Sequence, residues 1–149
     1  MTALKFQLPD LLEWIETDRK LKRAVKRLET LREGLGSDLD FAVDFHARPS
    51  PTVAAIILRE IEPLHLFFAE EICPPENVRA MQRAARKSTT PLATGERLIA
   101  AYGFNELIDL GIVDLLQPDI AHVDGITAMW KVAAAADIRC RPSPVSDSK

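Results

Sequence analysis

Residues 39–63, LDFAVDFHARPSPTVAAIILREIEP, carry the reading that decides the fold. Residues 39–45 are short and apolar and predict a strand covered on both faces. Ser50 is suited to cap a helix, Pro51 takes its first position, and the apolar run beyond them continues until Pro63 ends it. A strand joined to a helix by a short polar turn is one βα unit, and outward from it the unit repeats. Upstream, Leu21, Ala24, Val25, Leu28 and Leu31 step by three or four along one helical face, and Gly34 and Gly36 offer a stop. Downstream, residues 65–69 (HLFFA) predict a strand, 75–87 a helix, 91–94 a strand, 104–110 a helix stopped by Gly111, 112–116 a strand and 126–136 a helix. Residues 138–140 read as the start of one more strand. The alternation implies an α/β fold with a parallel sheet. A (β/α) barrel and a flavodoxin-like sheet of four or five strands both fit it.

A chain of 149 residues has the size of one domain, and 47% hydrophobic with 28% charged residues is a globular balance, which excludes wholesale disorder. No apolar run reaches the ~18 residues of a membrane helix, and MTALKFQLPD has no leader pattern. Cys73 and Cys140 lie far apart, which excludes a disulfide framework and a Cys-rich zinc site. The expectation is a cytoplasmic protein with reduced thiols. A net charge of −3 argues against a nucleic-acid partner; the basic helix from Arg19 to Arg32 reads as a solvated face. Residues 1–16 are ambiguous, with LLEWIE a candidate helical turn. Residues 17–141 form the α/β domain, and the polar, Pro- and Ser-rich residues 142–149 predict a disordered tail.

The acids carry the functional signal. Asp44 closes one strand, Glu70 the next, and Glu96 follows the third; the intervals 44 to 70 and 70 to 96 are both 26 residues. Asp119 follows the fourth strand. One carboxylate at the carboxyl end of each successive βα unit is how a (β/α) barrel builds its active face. Carboxylates that converge repel unless a cation lies between them, and hard oxygen ligands favour Mg²⁺.

Four stretches bring a resemblance: VDFHARPSP (43–51), FFAEEICPPEN (67–77), PLATGERL (91–98) and LLQPDIAHVDGIT (115–127). In this order they resemble the barrel domain of the enolase superfamily. Within it they are most similar to the mandelate racemase-type, galactonate dehydratase-like acid-sugar dehydratases, over roughly residues 17–143. The resemblance implies a partial TIM-type (β/α) barrel, with Asp44, Glu70 and Glu96 as Mg²⁺ ligands. The metal would hold a sugar-acid carboxylate and stabilise the enediolate left when the α-proton departs. His46, two residues beyond Asp44 and expected on the same strand face, would be the general acid that helps the β-hydroxyl leave. Asp119 would orient a second histidine, the α-proton base, and His122 is the candidate substrate contact. Glu71 and Arg97 are expected as salt-bridge partners, and His65 as structural.

The chain also departs from that pattern. Ser143 stands where the second histidine is expected. The capping domain, a first barrel strand and the last strand are expected to be missing, with nothing in residues 1–16 to supply the first. A dehydratase weakened by these losses, an inactive fragment and a racemase of the same superfamily are the readings left open. Self-association of two partial barrels would cover the open sheet edges.

Overall fold

The computed structural model describes residues 3–8, 10 and 12–140; Ser143 and the expected tail at 142–149 lie outside them. Five strands form one sheet: β1 (Ala3–Gln7), β2 (Asp40–Asp44), β3 (Ala69–Glu70), β4 (Leu92–Thr94) and β5 (Leu115–Leu116). Their order in space is their order in sequence, and every neighbouring pair is parallel. A flavodoxin-like sheet runs 2-1-3-4-5, so the sequential order selects the barrel winding. Among the described residues β1 and β5 are edges, and the sheet does not close on itself.

The helices are α1 (Asp18–Leu35), α2 (Pro51–Ile61), α3 (Val78–Ala85), α4 (Asn105–Leu110) and α5 (Ile126–Cys140). Their starts follow from capping chemistry. Thr17 accepts from Lys20 N, Ser50 from Val53 N ahead of Pro51, and Asn77 from Ala80 N. Each side chain satisfies an amide that has no partner within the helix, typically worth about 1 kcal/mol.

Pleating sorts the strand residues into two layers. Phe41 and Val43 pack outward with Leu21, Ala24 and Leu28 of α1 and with Ile57, Leu58 and Ile61 of α2. Phe6 joins this layer edge-on to Phe41, with ring centroids 6.2 Å apart. Phe41 is fully buried, which contributes roughly 1.5–3 kcal/mol. On the other face Ala42, Phe68 and Ala93 form a separate small cluster with Leu115. This is the face a closed barrel would turn inward.

Several expectations are corrected. Residues 3–7 do supply a strand, paired with β2 from Ala3–Asp40 to Gln7–Asp44. The described part of LLEWIE, residues 12–16, is not helical: Trp14 and Ile15 lie in a bend and are exposed, while Leu12 is buried. The strand expected at 65–69 shrinks to Ala69–Glu70, because His65 takes a left-handed φ of 49° to end a 3-10 turn over Glu62–Leu64. The Arg32 guanidinium donates to the Leu64 and His65 carbonyls there. The helices expected at 75–87 and the strand at 112–116 are likewise shorter, at Val78–Ala85 and Leu115–Leu116. Residues 138–140 are helical, since α5 runs to Cys140 with no Gly or Pro to interrupt it. Among the described residues no helix is long and apolar enough to cross a membrane.

Candidate active site at the carboxyl ends of the strands

Asp44 and Glu70 are the last residues of β2 and β3, and the register places them side by side. Both are buried, at 5% and 2% exposure. Two carboxylates on adjacent strands repel in a poorly solvated setting, and the structure answers with an ammonium. Lys5, on β1, reaches across to put Nζ 2.7 Å from Glu70 Oε2. Burial pulls the Lys5 ammonium down. The Glu70 hydrogen bond and the charges of Glu70, Asp44 and Glu96 outweigh that, and the net effect is upward.

The donor set suits Mg²⁺: three carboxylates, oxygen donors only, on consecutive strand ends. Yet among the described residues no three His, Cys, Asp or Glu side chains are gathered closely enough to hold a metal ion. Asp44 and Glu70 meet, while Glu96, half-buried beyond the end of β4, acts on the same point from further away. The donor chemistry fits the ion, and of the three carboxylates Glu70 is the one paired with Lys5.

His46 reaches this site by a route the strand period does not describe. The strand ends at Asp44, and His46 and Ala47 both take left-handed φ, 52° and 54°. Asp44 Oδ1 accepts from His46 N at 2.8 Å, and the turn brings His46 Nδ1 to 3.5 Å from Asp44 Oδ2. Two adjacent L-residues in this region are strained. Ala47→Gly is expected to raise stability by about 1 kcal/mol, read as a higher denaturant midpoint at unchanged slope.

Glu71 is fully buried. Its Oε1 accepts from Gly95 N at 2.9 Å and from the Thr94 hydroxyl, which ties β3 to the turn carrying Glu96. Its Oε2 accepts no hydrogen bond from a described residue. Burial pushes the Glu71 carboxyl up, against these two hydrogen bonds. A raised acid stabilises the fold in its protonated form. That contribution is fully present below the ordinary glutamate range and is lost as pH rises through the folded value. Glu71→Gln, uncharged at every pH, is expected to be the more stable protein near neutrality. The gap to wild type should close as pH falls below about 4, in denaturant melts of the metal-free proteins across pH.

The remaining sites are placed as follows. Asp119 is exposed, and its Oδ1 accepts from Ala121 N at 2.7 Å and His122 N at 3.3 Å, so its carboxylate holds a turn. His122 is exposed and donates Nδ1–H to the Glu96 carbonyl at 2.6 Å, which pins the Glu96 backbone. Arg97 lies 3.8 Å from Glu76, and both are well exposed. Cys73, between the carboxylates and α3, is a buried thiol pushed up to about 12 by desolvation and is inert. Lys5 is the residue that sequence reasoning missed. Its signal was the alternation of residues 3–7, with Leu4 and Phe6 on one face and Lys5 and Gln7 on the other.

Two grooves, of about 480 and 580 Å³, lie in the helical layer: one between α1 and α2, the other beside the starts of α2 and α3. Neither is lined by Asp44, Glu70 or Glu96. The carboxylates occupy the open face of the sheet.

Comparison with known proteins agrees with the fold. The profile of the family described as enolase C-terminal domain-like matches residues 1–144. The D-galactonate dehydratase of Cronobacter sakazakii is 37% identical over 123 residues, 83% of this chain and 32% of that protein. The D-galactonate dehydratase of Xanthomonas euvesicatoria pv. vesicatoria is 35% identical over 135 residues, 91% of this chain and 35% of that protein. Among solved structures, an enolase superfamily member from Salmonella Typhimurium superimposes with a TM-score of 0.85 at 30% identity, covering 92% of this chain and 38% of that one. The L-rhamnonate dehydratase of Gibberella zeae gives 0.77 at 27% identity, covering 81% and 31%. The chain spans about a third of the length of the curated relatives it matches.

Proposed function

The chain belongs to the enolase C-terminal domain-like family, and from that premise we propose that it forms the cation-binding face of an acid-sugar dehydratase of the galactonate type. The observation that carries the reading is the buried Asp44–Glu70 pair, in register on neighbouring strands with His46 on Asp44. The two D-galactonate dehydratases support the substrate class, a small sugar acid. Asp44, Glu70 and Glu96 would hold Mg²⁺. Bound there, the ion supplies the positive charge that makes the proton α to a carboxylate acidic enough for a side chain to remove.

The chain's own residues account for the other half of an elimination. His46 is partly exposed, with its side chain 41% accessible, and so is open to a molecule arriving from solvent. Its Nδ1 lies 3.5 Å from Asp44 Oδ2, which orients the ring, and we assign His46 as the group that gives a proton to a departing hydroxyl. His122 fixes the Glu96 backbone. No described residue is assigned as the α-proton base. The exposed Ile126, Trp130 and Ile138 on α5 support association that covers this flank of the sheet.

The test is a thermal melt with and without Mg²⁺, followed by a screen of sugar acids for release of 2-keto acid. A transition that rises with Mg²⁺, with 2-keto acid formed from a galactonate-like substrate, is the expected result. A melt indifferent to Mg²⁺ counts against the metal reading. A metal-responsive protein that turns over no sugar acid leaves a cation-binding fragment without the activity.

A further inference from the structure

The loop between β1 and α1 is fastened to the fold at several points and leaves its apolar side chains in solvent. Asp10 is buried and accepts from Arg23 and Arg27 of α1, each at 3.0 Å. Leu12 is buried, and Glu16 Oε1 accepts from Glu13 N at 2.6 Å and pairs with Lys20 at 2.5 Å. Among these anchors Trp14 is 55% exposed and Ile15 81% exposed. A loop that is already ordered gives up little freedom on binding, which favours a contact made through it. Trp14 and Ile15 line the 580 Å³ groove beside the starts of α2 and α3, together with Pro51, Val53 and Pro74. Arg83 is the one charged side chain lining it; its guanidinium donates to the Arg79 carbonyl and meets no carboxylate among the described residues. Glu13, next to Trp14, is exposed, and its carboxylate forms no ion pair among the described residues.

We propose that this groove is a homodimer interface, in which the Glu13–Trp14–Ile15 loop of each copy seats in the groove of the other. Charge complementarity selects a second copy as the occupant. The groove offers apolar walls and one guanidinium, so it takes apolar side chains that stand beside an acid. The loop on its own rim carries that combination in Glu13, Trp14 and Ile15. A two-fold axis through the groove makes one contact twice, Glu13 of each copy with Arg83 of the other, as an isologous interface requires. A rigid aromatic anchor packed against apolar walls, with charged pairs at the edge, is the arrangement that concentrates binding energy at an interface. The surface includes neither the strand-end acids nor any residue of α5, so it stands whether or not the chain binds a metal or turns over a sugar acid.

The test is sedimentation velocity over a concentration series, on wild type and on variants at exposed positions. Wild type is expected to sediment as a dimer that dissociates on dilution. Ile15→Glu, which puts a carboxylate against the apolar wall, is expected to raise the dimer dissociation constant about a hundredfold. Glu13→Arg and Arg83→Glu each replace two attractive pairs per dimer with two repulsive ones and should each weaken it about tenfold. The double variant Glu13→Arg/Arg83→Glu restores both pairs with the charges exchanged and should return to near the wild-type value. Restoration is the decisive result, since neither misfolding nor a general change of charge produces it. Single variants that weaken the dimer with no recovery in the double overturn the proposal, and so does a wild type that stays monomeric throughout. A dimer that tolerates Ile15→Glu and is lost in Trp130→Glu is built through α5 and overturns it too. A second readout uses Trp130→Phe, which leaves Trp14 as the one tryptophan of the chain. Its emission is expected to move to shorter wavelength as concentration rises and the ring leaves water; emission that does not move while the protein dimerises excludes the groove.

Discussion

Glu70→Gln is expected to abolish the stabilisation that Mg²⁺ gives the wild-type chain. With metal at 100 times its dissociation constant that stabilisation is about 2.7 kcal/mol, or roughly 5–10 °C in melting temperature for a chain of this size. The residue is chosen for its position. Glu70 is nearly inaccessible, lies in register with Asp44 and carries the hydrogen bond from Lys5. Glutamine keeps the shape but replaces an anionic ligand with a neutral amide, so the packing of β3 survives and the attraction for a dication does not. In the metal-free protein two effects oppose each other: the variant loses its pair with Lys5, and it no longer buries a charge. The midpoint without metal should therefore stay close to wild type, which makes the metal-dependent difference readable. Glu60→Gln is the control, because Glu60 is exposed and lies in the last turn of α2. A Glu70→Gln protein that still rises with Mg²⁺ as wild type does would remove Glu70 from the proposed ligand set.

How far the sequence reads correctly depends on which interactions are local. Helices α1 and α2 were legible because their signals are local: the apolar step and closing glycines of α1, and Ser50 and Pro51 within one turn of the start of α2. The positions of Asp44, Glu70 and Glu96 after their strands were legible for a similar reason: each ends a short apolar run. What failed was long-range or depended on backbone geometry. Residues 3–7 become a strand only because β2, more than thirty residues later, offers a partner, so LLEWIE drew the eye instead. The segment 138–140 alternates apolar and polar residues, yet the helix already formed over Ala133–Ala136 carries on through it. His46 was expected beside Asp44 by strand period; it comes there through two left-handed residues that no period predicts. The choice between barrel and flavodoxin-like winding was open because spatial strand order is not encoded in alternation. The register of five parallel strands decides it.

Gly95→Ala is expected to be among the most damaging single-atom additions to this fold, at about 3 kcal/mol. Gly95 has a φ of +144°, which side chains rarely adopt, at a cost of about 1–3 kcal/mol. A Cβ there would lie 3.0 Å from both the Gln117 backbone N and C and 3.0 Å from the ring of Phe104. None of these can yield easily. Gln117 N donates to the Thr94 carbonyl at 3.0 Å, so moving it opens the β4–β5 pairing, and Phe104 is fully buried. Overpacking of this kind adds about 1–3 kcal/mol. For a protein with 5–15 kcal/mol in total, the sum is a fall of about 10 °C in melting temperature. The same turn carries Glu96, and Gly95 N donates to Glu71. The substitution should therefore also weaken the response to Mg²⁺, which ordinary loss of stability would not do. Gly34→Ala supplies the contrast: it lies inside α1 with nothing within 4 Å of its added Cβ. It should stabilise by about 0.5–1 kcal/mol. If Gly95→Ala melted with wild type, β4 and β5 could not approach as closely as the fold requires, and the turn that presents Glu96 would have to be built another way.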